Sequence, residues 1–197
     1  MRAEGEEMNR IFLIGDSIRM GYCEHVKGLM ADCAEVIYPK VNCRSSQCIL
    51  MSMFDWSKLC DTEKVKIVHF NCGHWDAARF DCDPQPLTSL GEYEKNLESI
   101  VRNLKKYYPN AKLAFATTTP MNPDYPENRN PHTTEDNMRY NDVAKRVMQK
   151  HGVAINDLFA VAESWGKEYY IDYCHFTEEG YKILGKHVSD FIKTLLK

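Results

Sequence analysis

The sequence predicts an α/β domain, a parallel sheet of five strands covered by helices on both faces. Five short apolar runs, residues 11–14, 35–38, 65–70, 112–116 and 153–155, alternate with segments of helical periodicity. Such alternation is the mark of βαβ crossovers, whose strands are buried on both faces and read as continuous apolar stretches. With 197 residues, 44% of them hydrophobic, the chain suits one domain with a substantial core. Residues 1–10, charged and without periodicity, read as a loose tail, which leaves 11–197 as the domain.

The elements follow in order. The run 11–14 meets Gly15-Asp16-Ser17 and so reads as a buried strand that ends in a tight turn and opens a helix. Ser89-x-x-Glu92 is a capping box, and Tyr93, Leu97, Ile100, Val101 and Leu104 follow at helical spacing on a core face. Met138, Val143, Ala144, Val147 and Met148 repeat the pattern until Gly152 stops it. Thr177 is an N-cap with acids Glu178 and Glu179 behind it, opening a last helix on Tyr181, Leu184, Val188, Phe191, Ile192 and Leu195. Residues 76–88 carry Pro84 and Pro86, and residues 119–132 carry Pro120, Pro123, Pro126 and Pro131. Both stretches follow apolar strands, which puts them at the carboxyl edge of the sheet, where α/β folds bind ligands, and they are expected to wall a cleft.

Composition narrows the function. There are 25 Lys+Arg against 28 Asp+Glu, a net charge of −3, and Arg10, Arg19, Lys27 and Lys40 form no run, so nucleic-acid binding is not expected. No apolar stretch reaches the roughly 18 residues of a membrane span, and no charged start leads into an apolar leader. A cytoplasmic protein is the expectation. Eight cysteines contain no C-x-x-C and no paired Cys/His spacing, so no metal is expected and the thiols read as small core residues. Cys72 and Cys82 are a pair that an oxidising compartment would bridge. Gly-x-Gly-x-x-Gly and Gly-x-Ser-x-Gly are both absent, which argues against a dinucleotide enzyme and against the nucleophile elbow of α/β-hydrolases. No cofactor is expected.

Ser17 stands where a strand stops and a helix begins, beside backbone N–H groups that favour a forming oxyanion. From the tripeptide alone it reads more readily as a helix cap. Asp172 and His175, just ahead of the last helix, favour chemistry: a serine hydroxyl needs a neutral imidazole to take its proton, and the imidazole needs an acceptor on its other nitrogen.

Gly15-Asp16-Ser17 near one end and Asp172-x-x-His175 near the other resemble the first and last blocks of the GDSL, or SGNH, hydrolases. The resemblance implies a flavodoxin-like three-layer αβα sandwich, the SGNH hydrolase fold, and a serine esterase in which Ser17 is nucleophile, His175 general base and Asp172 its orienter. The inner blocks depart from the pattern. The family's second block supplies an oxyanion N–H from a glycine, and in Val41-Asn42-Cys43-Arg44-Ser45-Ser46 the matching position is Cys43. The third block is Gly-x-Asn-Asp, its asparagine another donor, whereas Gly73-His74-Trp75-Asp76 places Trp75 there. Asn71, at the end of the preceding strand, is expected to supply the missing amide, with the Trp75 indole N–H as the alternative donor, so the expected oxyanion hole is Ser17, Cys43 and Asn71. Asp16, His74 and Trp75 are expected to contact substrate. Trp75, Tyr125 and Asn128-Arg129-Asn130 suggest a sugar-like alcohol, and the expected partner is a small ester such as an acetylated sugar, with no motif specifying an oligomeric state. The rival readings are a carbohydrate-binding protein that has lost turnover through the two departures, a lipase or thioesterase of the same family, and a flavin or nucleotide binder, which lacks its phosphate loop.

Overall fold

Strand β1 (Asn9–Ile14) lies between β2 (Ala34–Ile37) and β3 (Val65–Phe70), and β4 (Lys112–Ala116) and β5 (Ala154–Asn156) extend the sheet in the order β2-β1-β3-β4-β5. Every pairing is parallel, and Ile14 is in register with Phe70, as Phe70 is with Phe115 and Phe115 with Ile155. This computed structural model describes residues 8–80, 83–122, 124–125 and 130–197. Cys82 and the loop residues Pro123, Pro126, Asn128 and Arg129 lie outside them, so the Cys72–Cys82 pairing and that part of the sugar-side loop do too. Cys72 itself is fully buried with a free thiol.

The two faces of the sheet follow from the period of two along each strand. Ile11, Leu13 and Ile67 point to one side, where α1 (Ser17–Met30) and α7 (Glu178–Leu196) pack Tyr22, Val26, Leu184, Val188 and Ile192 against them. Phe12, Ile14, Val68 and Phe70 point to the other. There they meet α2 (Ser46–Ser57), α4 (Leu90–Tyr107) and α5 (Thr134–His151). Two short helices, α3 (His74–Ala77) and α6 (Leu158–Ala162), complete the set. The three-layer sandwich is the expected one; β2 and β5 are displaced by one residue from the expected runs, and β1 starts two residues earlier than expected, at Asn9, so the end of the expected tail belongs to the sheet. Among the described residues no helix is long and apolar enough to cross a membrane.

The caps match the sequence signals. Ser89 and Glu92 close a capping box, Gly152 ends α5 with φ 64, and the Thr177 hydroxyl accepts from Gly180 N. One core position is corrected. Met138 is 47% exposed, because the buried face of α5 runs through Asn137, Tyr140, Asn141, Ala144, Val147 and Met148, and position 138 falls one residue off that stripe. Helix α2 carries no such stripe. Only Ser46, Ile49 and Met53 are buried while Met51 and Phe54 face solvent, so periodicity does not single it out.

Order β2-β1-β3 makes the carboxyl end of β1 the topological switch point, with the helix after β1 leaving toward one face and those after β2 and β3 toward the other. The turn there is tight. A Cβ on Gly15 would fall 1.9 Å from Asn71 Oδ1 and 2.7 Å from Arg19 Cβ, so only glycine lets β1, β3 and α1 converge. Gly15→Ala is therefore expected to destabilise the fold by about 1–3 kcal/mol, measurable by chemical denaturation; an unchanged midpoint would show that the turn relaxes freely.

Candidate active site

Ser17 is the first residue of α1, but the cap is Asp16, whose Oδ1 accepts from Ile18 N at 3.0 Å. The Ser17 hydroxyl is thus not spent on the helix. Its Oγ lies 2.8 Å from His175 Nε2, across 158 residues of chain. On the other side of the ring, His175 Nδ1 lies 2.7 Å from Asp172 Oδ2. Asp172 Oδ1 accepts from Cys174 N and His175 N, at 2.9 and 2.8 Å. An antiparallel bridge between Tyr170 and Phe176 closes the base of this loop, and Asn122 donates its side-chain amide to the Asp172 carbonyl at 3.2 Å.

These bonds set protonation. Burial alone would raise the Asp172 carboxyl, but the two backbone N–H groups and the imidazole outweigh it and hold the carboxyl below its ordinary value. An ionised Asp172 only accepts, so with a neutral ring the proton sits on Nδ1 and the Nε2 lone pair faces Ser17 Oγ.

A cavity of about 110 Å³ opens beside this pair, lined by Ser17 and His175 together with Asn42, His74, Trp75 and His132. Ala78 and Asn130 from the two proline-bearing stretches line it as well, as expected for the cleft walls. Trp75 stacks on Phe80 with ring centroids 5.8 Å apart, and the Arg44 guanidinium lies over the indole at 5.4 Å. His74 and His132 form a buried pair. His132 Nδ1 is 2.8 Å from the Asn130 carbonyl, which can only accept, so neutral His132 presents a bare Nε2 to His74 Nδ1, 3.1 Å away. His74 Nδ1 then carries its proton, and Nε2 takes the Thr119 hydroxyl at 3.0 Å. Burial holds both rings well into the neutral form, with His132 and His175 adding to the effect at His74.

Three expected site residues are placed elsewhere. Asp16 is wholly buried and caps α1, so it does not reach substrate; burial raises its carboxyl, against hydrogen bonding from the Asn71 side chain. Asn71 is buried and does not line the cavity. The Cys43 N–H is taken by the Gly15 carbonyl at 3.0 Å, which removes it as a donor to substrate. The left-handed backbone of this loop falls one residue later, at Arg44, with φ 55. Asn42 holds it there, its Oδ1 accepting from Arg44 N at 2.9 Å. Asn42 was the residue that sequence reasoning missed: an asparagine two positions before a left-handed residue is an Asx-turn signal, but the sequence did not mark Arg44 as left-handed.

A second buried carboxylate ties the loops together. Asp76 accepts from Ser46 N at 3.1 and 3.0 Å and from Ser46 Oγ at 2.5 Å, so a residue of the third block caps the helix that follows the second. Asn96 of α4 donates to the same Ser46 hydroxyl at 3.0 Å.

A serine, a histidine and an aspartate meeting at the carboxyl edge of a doubly wound sheet define a hydrolase-type site. Residues 13–183 match the GDSL-like Lipase/Acylhydrolase family. The chain belongs to that family and is by membership a carboxylic ester hydrolase. Similar solved structures include a lipase/acylhydrolase from Enterococcus faecalis, with TM-score 0.73 and 22% identity over 95% of this chain and 96% of that one. An acetyl xylan esterase has TM-score 0.72 and 15% identity over 93% and 99%, and a carbohydrate acetylesterase from Sinorhizobium meliloti has 0.73 and 13% over 95% and 99%. At these identities the likeness establishes the fold. No curated protein matches the chain.

Burial pushes the Asp76 carboxyl up to about 6, against the hydrogen bonds from Ser46. A carboxyl whose folded value exceeds its unfolded one contributes most at low pH and loses that contribution as pH rises through the folded value. Relative to Asp76→Asn, the wild type should therefore lose about 3 kcal/mol of stability between about pH 4 and pH 7. Urea titrations of both proteins across this range check the sign; a pH-independent difference would mean that Asp76 is ionised throughout.

Proposed function

We propose that this chain is a cofactor-independent serine esterase that removes small acyl groups, acetyl above all, from carbohydrate-like alcohols through a Ser17–His175–Asp172 triad. The observation that carries the reading is the continuous pair of bonds, 2.8 Å from Ser17 Oγ to His175 Nε2 and 2.7 Å from His175 Nδ1 to Asp172 Oδ2. In this reading Ser17 Oγ attacks the ester carbonyl as Nε2 takes its proton, and the imidazolium forms against an ionised Asp172. Nε2–H then protonates the departing alkoxide, and a water deprotonated by the same nitrogen releases the acid.

The tetrahedral oxyanion needs donors. The first N–H groups of α1 have no helical acceptor, and that of Ser17 lies beside the reacting carbon. The second donor is Asn42. Its Oδ1 is fixed by Arg44 N, which leaves the Nδ2 hydrogens of a cavity-lining amide for the oxyanion. Asn42 thereby takes the role expected of Asn71 and Cys43.

Substrate size and polarity are supported by the cavity. About 110 Å³ suits a short acyl group better than a long chain. Trp75 on the cavity wall, with the polar side chains of Asn42 and Asn130 beside it, suits a polyol ring. The acetyl xylan esterase and the carbohydrate acetylesterase among the similar structures agree with that class.

Ser17→Ala should lower turnover of an activated acetyl ester by at least about 1000-fold and leave the fold intact, since the α1 cap is Asp16. A purified Ser17→Ala protein that still turns over normally would remove the triad and leave the carbohydrate-binding reading. For the oxyanion donor, Asn42→Asp keeps the acceptor for Arg44 N and replaces only the donor. It should cut kcat by roughly 100-fold or more with little change in KM, whereas Asn71→Asp should not show that pattern. Wild-type kcat in Asn42→Asp would exclude the amide from the hole.

A further inference from the structure

We infer that the loop carrying the candidate base is also a binding site for a thiophilic divalent cation, zinc or cadmium, held by Asp172 Oδ2, Cys174 Sγ and His175 Nδ1, and that the bound ion switches the base off. The three atoms lie within 4.8 Å of one another. Cys174 Sγ is 3.7 Å from His175 Nδ1, close to the roughly 3.5 Å that separates sulfur and nitrogen ligands around a tetrahedral zinc. The Asp172 oxygen, 2.7 Å from the same nitrogen, has to retreat only about 0.6 Å to reach its ligand spacing. One thiol, one imidazole and one carboxylate form a donor set that zinc and cadmium favour over magnesium or calcium.

The surroundings admit the ion. Cys174 and His175 both line the cavity, so the ion has a route in and a water can fill the fourth position. Burial is the first cause that raises the Cys174 thiol and the Asp172 carboxylate beside it the second; that carboxylate is also the charge an entering cation meets. The Asp172 loop is already closed by its own backbone bonds through Oδ1, so Oδ2 is the oxygen free to turn from ring to metal.

The consequence for the base is a change of tautomer. Bonds form from the metal to Nδ1, Sγ and Oδ2, and the Nδ1–H and S–H bonds break. One proton returns to the ring on Nε2 and the other leaves to buffer, so each ion releases one proton. A ring metallated on Nδ1 and protonated on Nε2 has no lone pair for Ser17. The binding stands apart from the esterase reading; only its effect on turnover rests on it.

The test titrates cadmium chloride into wild type and Cys174→Ala, following the ultraviolet cadmium–thiolate band and the rate on an activated acetyl ester, with EDTA added last. Seven free cysteines among the described residues make the difference between the two proteins the readout. The expected result is one tight thiolate equivalent in wild type that Cys174→Ala lacks, with inhibition reversed by EDTA. Inhibition is read against each protein's own cadmium-free rate, and Cys174→Ala should need at least about tenfold more cadmium for the same fractional inhibition. Should the alanine variant not fold, Cys174→Ser replaces it with the same expectation. An identical band in both proteins, or equal sensitivity to cadmium, overturns the site. If wild type hydrolyses no ester, the band still decides whether the ion binds, and the failure belongs to the proposed function alone.

Discussion

Arg19 is the tie on which the carboxyl edge of the sheet depends. It is 1% exposed, and its Nη2 reaches the Gly15 carbonyl at 3.1 Å and the Val41 carbonyl at 2.6 Å. A buried guanidinium costs several kcal/mol when its donors go unmet; Nε has no partner among the described residues, so the two carbonyls on Nη2 are what offsets part of that cost, and they hold the turn after β1 and the loop after β2 against each other. That closure places Cys43 N on Gly15 O and leaves Asn42 at the cavity. The neighbouring bond from Asn71 N to the Ile14 carbonyl, at 3.0 Å, fastens the end of β3 to the same point.

The site shows how one residue type takes different roles through its surroundings. Asp172 is partly exposed and meets two backbone N–H groups and an imidazole, which keep it ionised. Asp16 and Asp76 are fully buried, and for them desolvation wins over their hydrogen bonds and raises the carboxyl. The first suits a group that must stabilise a passing imidazolium; the other two act as caps on α1 and α2, where the helix N-termini offset part of the burial. The histidines divide likewise. His175 sits half-exposed with one nitrogen toward Ser17, whereas His74 and His132 are sealed into a neutral hydrogen-bonded chain that ends on Thr119.

Much of this could be read from the chain alone. The five strands, the Ser89 and Thr177 caps and the Gly152 stop follow from local patterns, apolar runs and turn residues, and are visible because their physics acts within a few residues or along one face. The pairing of Ser17 with His175 and Asp172 spans 158 residues and was legible only through the complementary chemistry of the three groups and the resemblance of the two terminal blocks to the GDSL hydrolases. What the sequence misplaced was the oxyanion neighbourhood. Cys43, Asn71 and Asp16 were the residues nearest the motifs in sequence, yet the Cys43 N–H goes to the Gly15 carbonyl, Asp16 is buried as the α1 cap, and Asn71 does not line the cavity.

The sequence by itself determined the elements, the sheet and the chemical class of the site, because periodicity and residue type carry that information locally. The tertiary structure decided which donors remain free. Whether the Cys43 N–H or the Asn42 amide faces substrate depends on the Gly15 carbonyl and on the left-handed turn at Arg44. Those are contacts between β1 and the loop after β2, and a hydrogen bond across such a distance is fixed only once the sheet has brought its partners together.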